Sequence, residues 1–195
     1  IREYKLNAKS VLKIGYVMKQ FYQLYCNETY NNALMYSFGF NGYIDTIMGV
    51  QGNIANHRLS FCKFNSGTKK CKFKDAYYIK LMDDNPIPNT YSLKNNLIIT
   101  GPNAAGKTTL LKTTIINLLL SQQIGAGAYS SAKITPYHYF YCYLNIPDTS
   151  GRDSLFQAEA RQCKNIIQAI NENKKMRHFC ILDELYSGTN PYEAT

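Results

Sequence analysis

The 195-residue sequence predicts an α/β fold with a helical N-terminal segment, and three observations predict it. Short β-branched or aromatic runs, "NLIIT" before Gly101, "YHYFYCYL" at 137–144 and "HFCIL" at 178–182, alternate with long helical patterns. A glycine-bracketed turn, "GPNAAGKT" (101–108), joins the first run to an apolar helix. Upstream, residues from about Ser10 to Tyr36 have few breakers and apolar residues at helical spacing.

Taken in order, apolar residues at Leu12, Tyr16, Phe21, Leu24, Tyr25 and Leu34 predict one long helix from about Ser10 to Tyr36, with a second helical stretch after Gly42. Between Arg58 and Lys74 stand six basic residues and no acid (Arg58, Lys63, Lys69, Lys70, Lys72, Lys74), with Phe61, Phe64 and Phe73 among them. This segment reads equally as a nucleic-acid surface or as a solvated loop or hairpin around Gly67 and Thr68. The paired prolines of "DDNPIPNTYSL" mark an extended lead-in. The strand before Gly101 then gives way to a helix closed near Gly125, and a further helix from Asp153 to about Asn171 lies between the last two strands. Two domains follow: a mainly helical 1–75 that carries the basic segment, and an α/β domain over 76–195.

Composition narrows the class. No apolar run reaches the roughly 18 residues needed to cross a bilayer, and "IREYKLNAKS" lacks the apolar middle of a secretory signal, so no membrane partner is expected. Six cysteines without a CxxC, and three histidines away from metal-ligand spacing, read as reduced, mostly buried thiols in an intracellular compartment. Cys62 and Cys71 are the one pair to check for zinc. The formal charge of +9 is uneven: eleven Lys and Arg against four acids over 1–75 give +7, and eleven against nine over 76–195 give +2. Ile1 at the start, and an end at Thr195 twelve residues after Asp183, the first of an acidic pair, read as the ends of a fragment.

The chemistry sits in two motifs. Gly101, Pro102, Asn103, Ala104, Ala105, Gly106, Lys107 and Thr108 fit GxxxxGK[ST], between a strand and a helix as that motif requires. The glycines let the loop fold back so that its N–H groups face a phosphate, and the helix start adds its positive dipole end. Lys107 would reach the β and γ phosphates of ATP, and the Thr108 hydroxyl would ligate Mg²⁺, with Thr109 completing the loop. The apolar run "HFCIL" ends in Asp183-Glu184: the first carboxylate is placed to hold Mg²⁺, the second to polarise an attacking water, and the adjacent pair implies hydrolysis.

With these residues in view, 76–195 resembles the ATPase domain of the MutS family of DNA mismatch-repair ATPases. "TGPNAAGKTTLLKTTIINLLLSQQIG" is similar to that family's TGPNxxGKSTxxR loop and helix, "DELYSGTNPYEA" to its DEIGRGTSxxDG, and "SGRDSLFQAEA" to its STFxxEM block at Ser154, Phe156 and Glu159. The resemblance implies a P-loop NTPase of the ABC-ATPase type with an N-terminal lever and core segment, truncated at its C-terminus. It implies ATP hydrolysis coupled to clamping of double-stranded DNA, mismatched or otherwise irregular, by a homodimer or a MutS-like heterodimer. It also places Ser154 in trans, facing the γ-phosphate bound by the other protomer, and makes Ile87, before Asn89 in "NPIPN", an adenine contact. Tyr186-Ser187-Gly188-Thr189 in place of Gly-Arg-Gly-Thr, Glu193-Ala194 in place of Asp-Gly, and Ala104 and Thr108 in the loop point to a divergent branch of viral or protist kind. Two rival readings remain open: a P-loop nucleotide kinase, and a structural DNA-binding relative that does not turn ATP over.

Overall fold

The computed structural model describes residues 13–66, 70–144 and 155–185. The chain forms two compact units, Ile1–Gly52 and Asn53–Thr195. In the first, α1 (Ile14–Cys26) and α2 (Glu28–Ala55, whose last turn reaches the second unit) bury none of their residues. The single long helix expected through Tyr36 is broken at Asn27, whose backbone is extended (φ −100°, ψ 108°). Its side-chain oxygen accepts from the N–H groups of Thr29 and Tyr30 at 3.0 and 3.3 Å, so an Asn that breaks one helix caps the next. Helix α2 runs through Gly42 without interruption.

The second unit holds a five-stranded mixed sheet in the order β3-β2-β5-β1-β4, from β1 (Ser60–Phe64), β2 (Cys71–Ala76), β3 (Asn89–Leu93), β4 (Ala126–Gly127) and β5 (Ser131–Ile134). Strands β1 and β5 run parallel, and the other neighbours are antiparallel. The basic segment, grouped above with the helical part, thus supplies two strands of this sheet. Its alternation explains why: Cys71 and Phe73 are buried while Lys72 and Lys74 are exposed, the period-2 pattern of a half-covered strand, and a register shift after Phe73 leaves Ala76 buried as well. The strands are joined through residues 65–70, partly outside the described residues.

Helix α3 (Lys107–Ile124) covers the inner face, where Leu118 joins Cys71, Phe73, Ala76, Tyr129, Ala132 and Ile134 in the core. It ends at Gly125 in the left-handed region (φ 71°), whose N–H donates to the Ser121 carbonyl at 3.0 Å. A smaller cluster of Leu59, Ala126 and Ala128 gathers Ile54, Tyr77, Ile79 and Ile124. Beside the sheet, β6 (Tyr139–Tyr143) pairs in parallel with β7 (His178–Leu182), and α4 (Leu155–Glu172) forms the crossover between them. Phe140 and Phe179 pack against the main core together with Tyr137.

One expected strand is corrected. Residues 97–100 form none, and Ile98 is 92% exposed. The run has strand composition, but β preference is expressed only against a hydrogen-bonded neighbour; β6 and β7 pair with each other, and 97–100 join neither. The cysteines are also less buried than expected. Cys71 is buried and Cys62 and Cys163 partly so, whereas Cys26, Cys142 and Cys180 are exposed.

Candidate functional site

The loop from Gly101 to Gly106 is exposed along its whole length and opens directly onto α3. Two residues turn it through left-handed backbone, Ala104 (φ 61°) and Gly106 (φ 85°), the latter also the N-cap of α3. Glycine takes that conformation freely, whereas Ala104 holds it at a cost of order 1 kcal/mol. The N-cap, Gly106, has no side chain to cap the first N–H groups of α3. The Lys107 ammonium folds back over the loop and donates to the carbonyls of Gly101 and Pro102 at 2.8 and 2.9 Å. A cation beside the N-terminal end of a helix gives this place a positive electrostatic character.

Across 75 residues of sequence, the Thr108 hydroxyl donates to the Asp183 carboxylate at 2.7 Å. Asp183 stands just past β7, and its own N–H donates to the Tyr143 carbonyl at the end of β6 (2.9 Å), so both strands of the parallel pair fix its position. Glu184 follows with a left-handed backbone (φ 48°) and an exposed side chain. Such strain at a non-glycine residue beside a carboxylate is characteristic of functional sites. A hydroxyl and a carboxylate oxygen side by side are hard donors of the kind Mg²⁺ takes, so this pair fits that ion. Among the described residues no cluster of three or more His, Cys, Asp or Glu offers another metal site.

The remaining candidates are less gathered. Ile87 lies on the loop before β3 and is 83% exposed, and its carbonyl accepts from the Asn89 side chain at 3.1 Å. Thr109 is exposed at the start of α3. Ser154 lies outside the described residues. On α4, Glu159 is buried, and among the described residues one of its carboxylate oxygens has no hydrogen-bond partner.

A polar stripe along α3 escaped the sequence reading. Thr113, Thr114, Asn117 and Ser121 are all buried. Thr114 donates to the Tyr91 hydroxyl at 2.9 Å, Asn117 donates to the Tyr77 carbonyl at 3.1 Å and accepts from Ala128 N–H at 2.6 Å, and Ser121 shares a 2.8 Å hydrogen bond with the Tyr129 hydroxyl. Gln122 adds two bonds to the Tyr137 backbone, at 2.8 and 3.0 Å. Burial pushes the Tyr91 phenol up to about 12, its bond from Thr114 opposing the rise, and Tyr129 is raised by burial as well. Both therefore stay neutral and keep these bonds across any physiological pH. The stripe anchors the helix that presents Lys107 and Thr108. Its signal was legible as Thr113, Asn117 and Ser121 at four-residue steps, one face of a helix.

These features define a mixed α/β chain in which a glycine-rich loop opens a long helix and the helix's first hydroxyl meets a carboxylate at a strand end. The chain belongs to the MutS family: residues 97–195 match the family model described as MutS domain V. It is similar to "Endonuclease MutS2" of Staphylococcus haemolyticus, 27% identical over 160 residues, 76% of this chain and 20% of the relative. It is also similar to "DNA mismatch repair protein MutS" of Persephonella marina, 30% identical over 63% of this chain and 14% of the relative. A protein of the same description from Phocaeicola vulgatus is 34% identical over 50% of this chain and 11% of its own length. The chain thus spans a fifth or less of the length of these relatives. No helix among the described residues is long and apolar enough to cross a membrane.

Proposed function

We propose that this chain is the ATP-hydrolysing segment of a MutS-like protein, a P-loop NTPase of the ABC-ATPase type that couples nucleotide state to the clamping of double-stranded DNA in mismatch repair. The observation that carries the reading is the 2.7 Å contact between Thr108 and Asp183, which joins the loop motif to the acidic motif in one place. A Mg²⁺ ion, when bound there, would supply positive charge that offsets the charge of the phosphates. Thr108 and Asp183 would hold that ion, exchanging their mutual hydrogen bond for ligation. Lys107 would turn its ammonium from the Gly101 and Pro102 carbonyls to phosphate oxygens, while the backbone of Asn103, Ala104 and Ala105 cradles the phosphates. Glu184, next to Asp183 and open to solvent, would orient and polarise water. Ile87 would meet the adenine ring. In a dimer Ser154 would complete the partner's site, and α1 and α2 would belong to the lever that carries nucleotide state to the DNA.

Turnover is the test. Phosphate release from ATP without any acceptor, measured with Mg²⁺ present, is expected for the chain assembled in a full-length dimer. It should be lost in Lys107→Ala and slowed at least about 100-fold in Glu184→Gln with nucleotide binding retained. Absence of hydrolysis in that dimer, or a need for a phosphate acceptor, would sink the reading in favour of a non-hydrolysing relative or a kinase. Mixing Ser154→Ala with Lys107→Ala protomers should leave at most one working composite site. Full activity from the mixture would remove the role in trans.

A further inference from the structure

The outer face of the five-stranded sheet carries a row of lysines that nothing in the nucleotide site uses. The strand register is explicit: Lys63 on β1 stands opposite Lys133 on β5, and Lys133 stands opposite Lys72 on β2. Three lysines therefore cross three adjacent strands in one line. Lys74, two residues along β2, adds a fourth on the same face, opposite Ser131. All four are exposed, while the residues between them, Cys71, Phe73, Ala132 and Ile134, point into the core.

Directly opposed side chains on neighbouring strands lie about 5 Å apart at Cβ, and like charges there are destabilising. Among the described residues no acidic side chain is paired with these lysines. The one salt bridge among the described residues is Arg58–Asp83, and the acid of β2, Asp75, is turned to Thr90 and Ser130 at a bulge, at 3.2 and 2.8 Å. Sequence composition alone left the basic segment undecided between a surface and a solvated turn. The register removes the second option for Lys63 and Lys72, and it adds Lys133, which lies outside that segment.

We propose that this lysine row is a docking face for the phosphate backbone of duplex DNA, bound without regard to sequence. A second copy of the same face would be repelled. Lysine acts as a point charge suited to phosphate positioning rather than base reading. Among the described residues Phe61 is the one aromatic side chain on this face, so the stacking platform that a single strand needs is missing. The proposal deepens the reading of the chain as a DNA-working MutS-like protein by assigning it a contact surface on the sheet, separate from the nucleotide site.

The experiment is fluorescence anisotropy of a labelled duplex of about 20 base pairs with the full chain, without nucleotide, from 50 to 200 mM salt. The chain is compared with the triple variant Lys63→Gln, Lys72→Gln, Lys133→Gln. Each phosphate contact contributes about 0.9 to the slope of log K against log salt. The variant's slope should therefore be shallower by about 2.7, and the native chain should lose roughly 40-fold more affinity than the variant over that range. The corresponding Lys→Arg variant should keep the native slope. The Gln variant should also melt at or above the native temperature, since the mutual repulsion is gone. Equal slopes in native and Gln chains overturn the proposal. So does binding of a single strand of the same length as tightly as the duplex, or displacement of the duplex by poly-glutamate at equal charge, which would point to an acidic protein instead. Binding of a fluorescent ATP analogue is read in parallel: its failure in both chains overturns the nucleotide reading and leaves the lysine row standing.

Discussion

Asn117 shows how much one side chain can hold. Fully buried on α3, it bonds the Tyr77 carbonyl through its amide nitrogen and the Ala128 N–H through its amide oxygen, tying the helix to two separate segments. Asn117→Leu keeps the volume but orphans both backbone groups, and each buried orphan costs about 1–3 kcal/mol. A loss of about 2–5 kcal/mol in chemical denaturation is expected, against under about 1.5 kcal/mol for Tyr91→Phe, which removes only the hydroxyl that meets Thr114. Gly127 is constrained by space instead. A Cβ there would lie 2.5 Å from the Tyr129 ring and 2.8 Å from the Asn117 amide oxygen. Gly127→Ala should cost about 1–3 kcal/mol by overpacking, and thermal melting measures it. The thiols give a further readout. Cys26 is exposed, Cys62 is raised by burial and so carries less thiolate at a given pH, and Cys71 is wholly buried. Alkylation near pH 8 followed by mass spectrometry should label Cys26 first and Cys71 last.

At the scale of elements, α3 is the joint between sheet and site. Its length and its closing glycine were readable from "GKTTLLKTTIINLLLSQQIG", because capping and loop chemistry act locally. The strands at 139–143 and 178–182 were readable for the same reason, as short runs of strand-forming residues. What could not be read depends on partners distant in sequence. The run at 97–100 has strand composition and no paired neighbour, and 60–64 and 71–76, read as loop or hairpin, are strands because β5 lies between them. Asn27 could be seen as a breaker, but its capping geometry required the local backbone. At the site, Lys107, Thr108, Asp183 and Glu184 were legible as motifs, whereas the contact of Thr108 with Asp183 is a fact of the fold. If α3 is the joint, loosening its far end should reach the loop. Ser121→Ala, which removes the bond to Tyr129 about three and a half turns from Thr108, is expected to raise hydrogen exchange in the first turn of α3 as well as at its own position. Exchange measured by mass spectrometry checks this.

For the whole molecule, the two units differ in how they dispose of apolar surface. The second has a core, while α1 and α2 expose Tyr16, Met18, Phe21, Tyr22, Tyr25, Phe38, Tyr43 and Met48 among others. Helices apolar on most sides are built to be covered. The isolated chain should therefore bind the dye ANS strongly, and removing the first unit, residues 1–52, should abolish most of that signal while cooperative unfolding persists. Retained dye binding after the deletion would place the exposed surface elsewhere.

The span between Thr108 and Asp183 also sets a timetable. The five-stranded sheet is complete once Ile134 has been made, whereas the carboxylate that meets Thr108 comes 49 residues later, at Asp183. At roughly 5–20 residues per second, synthesis of that interval takes about 2–10 s. A nascent chain thus passes through a period in which the sheet and α3 can fold while the loop has no acidic partner, and any anion held then is held by backbone and Lys107 alone.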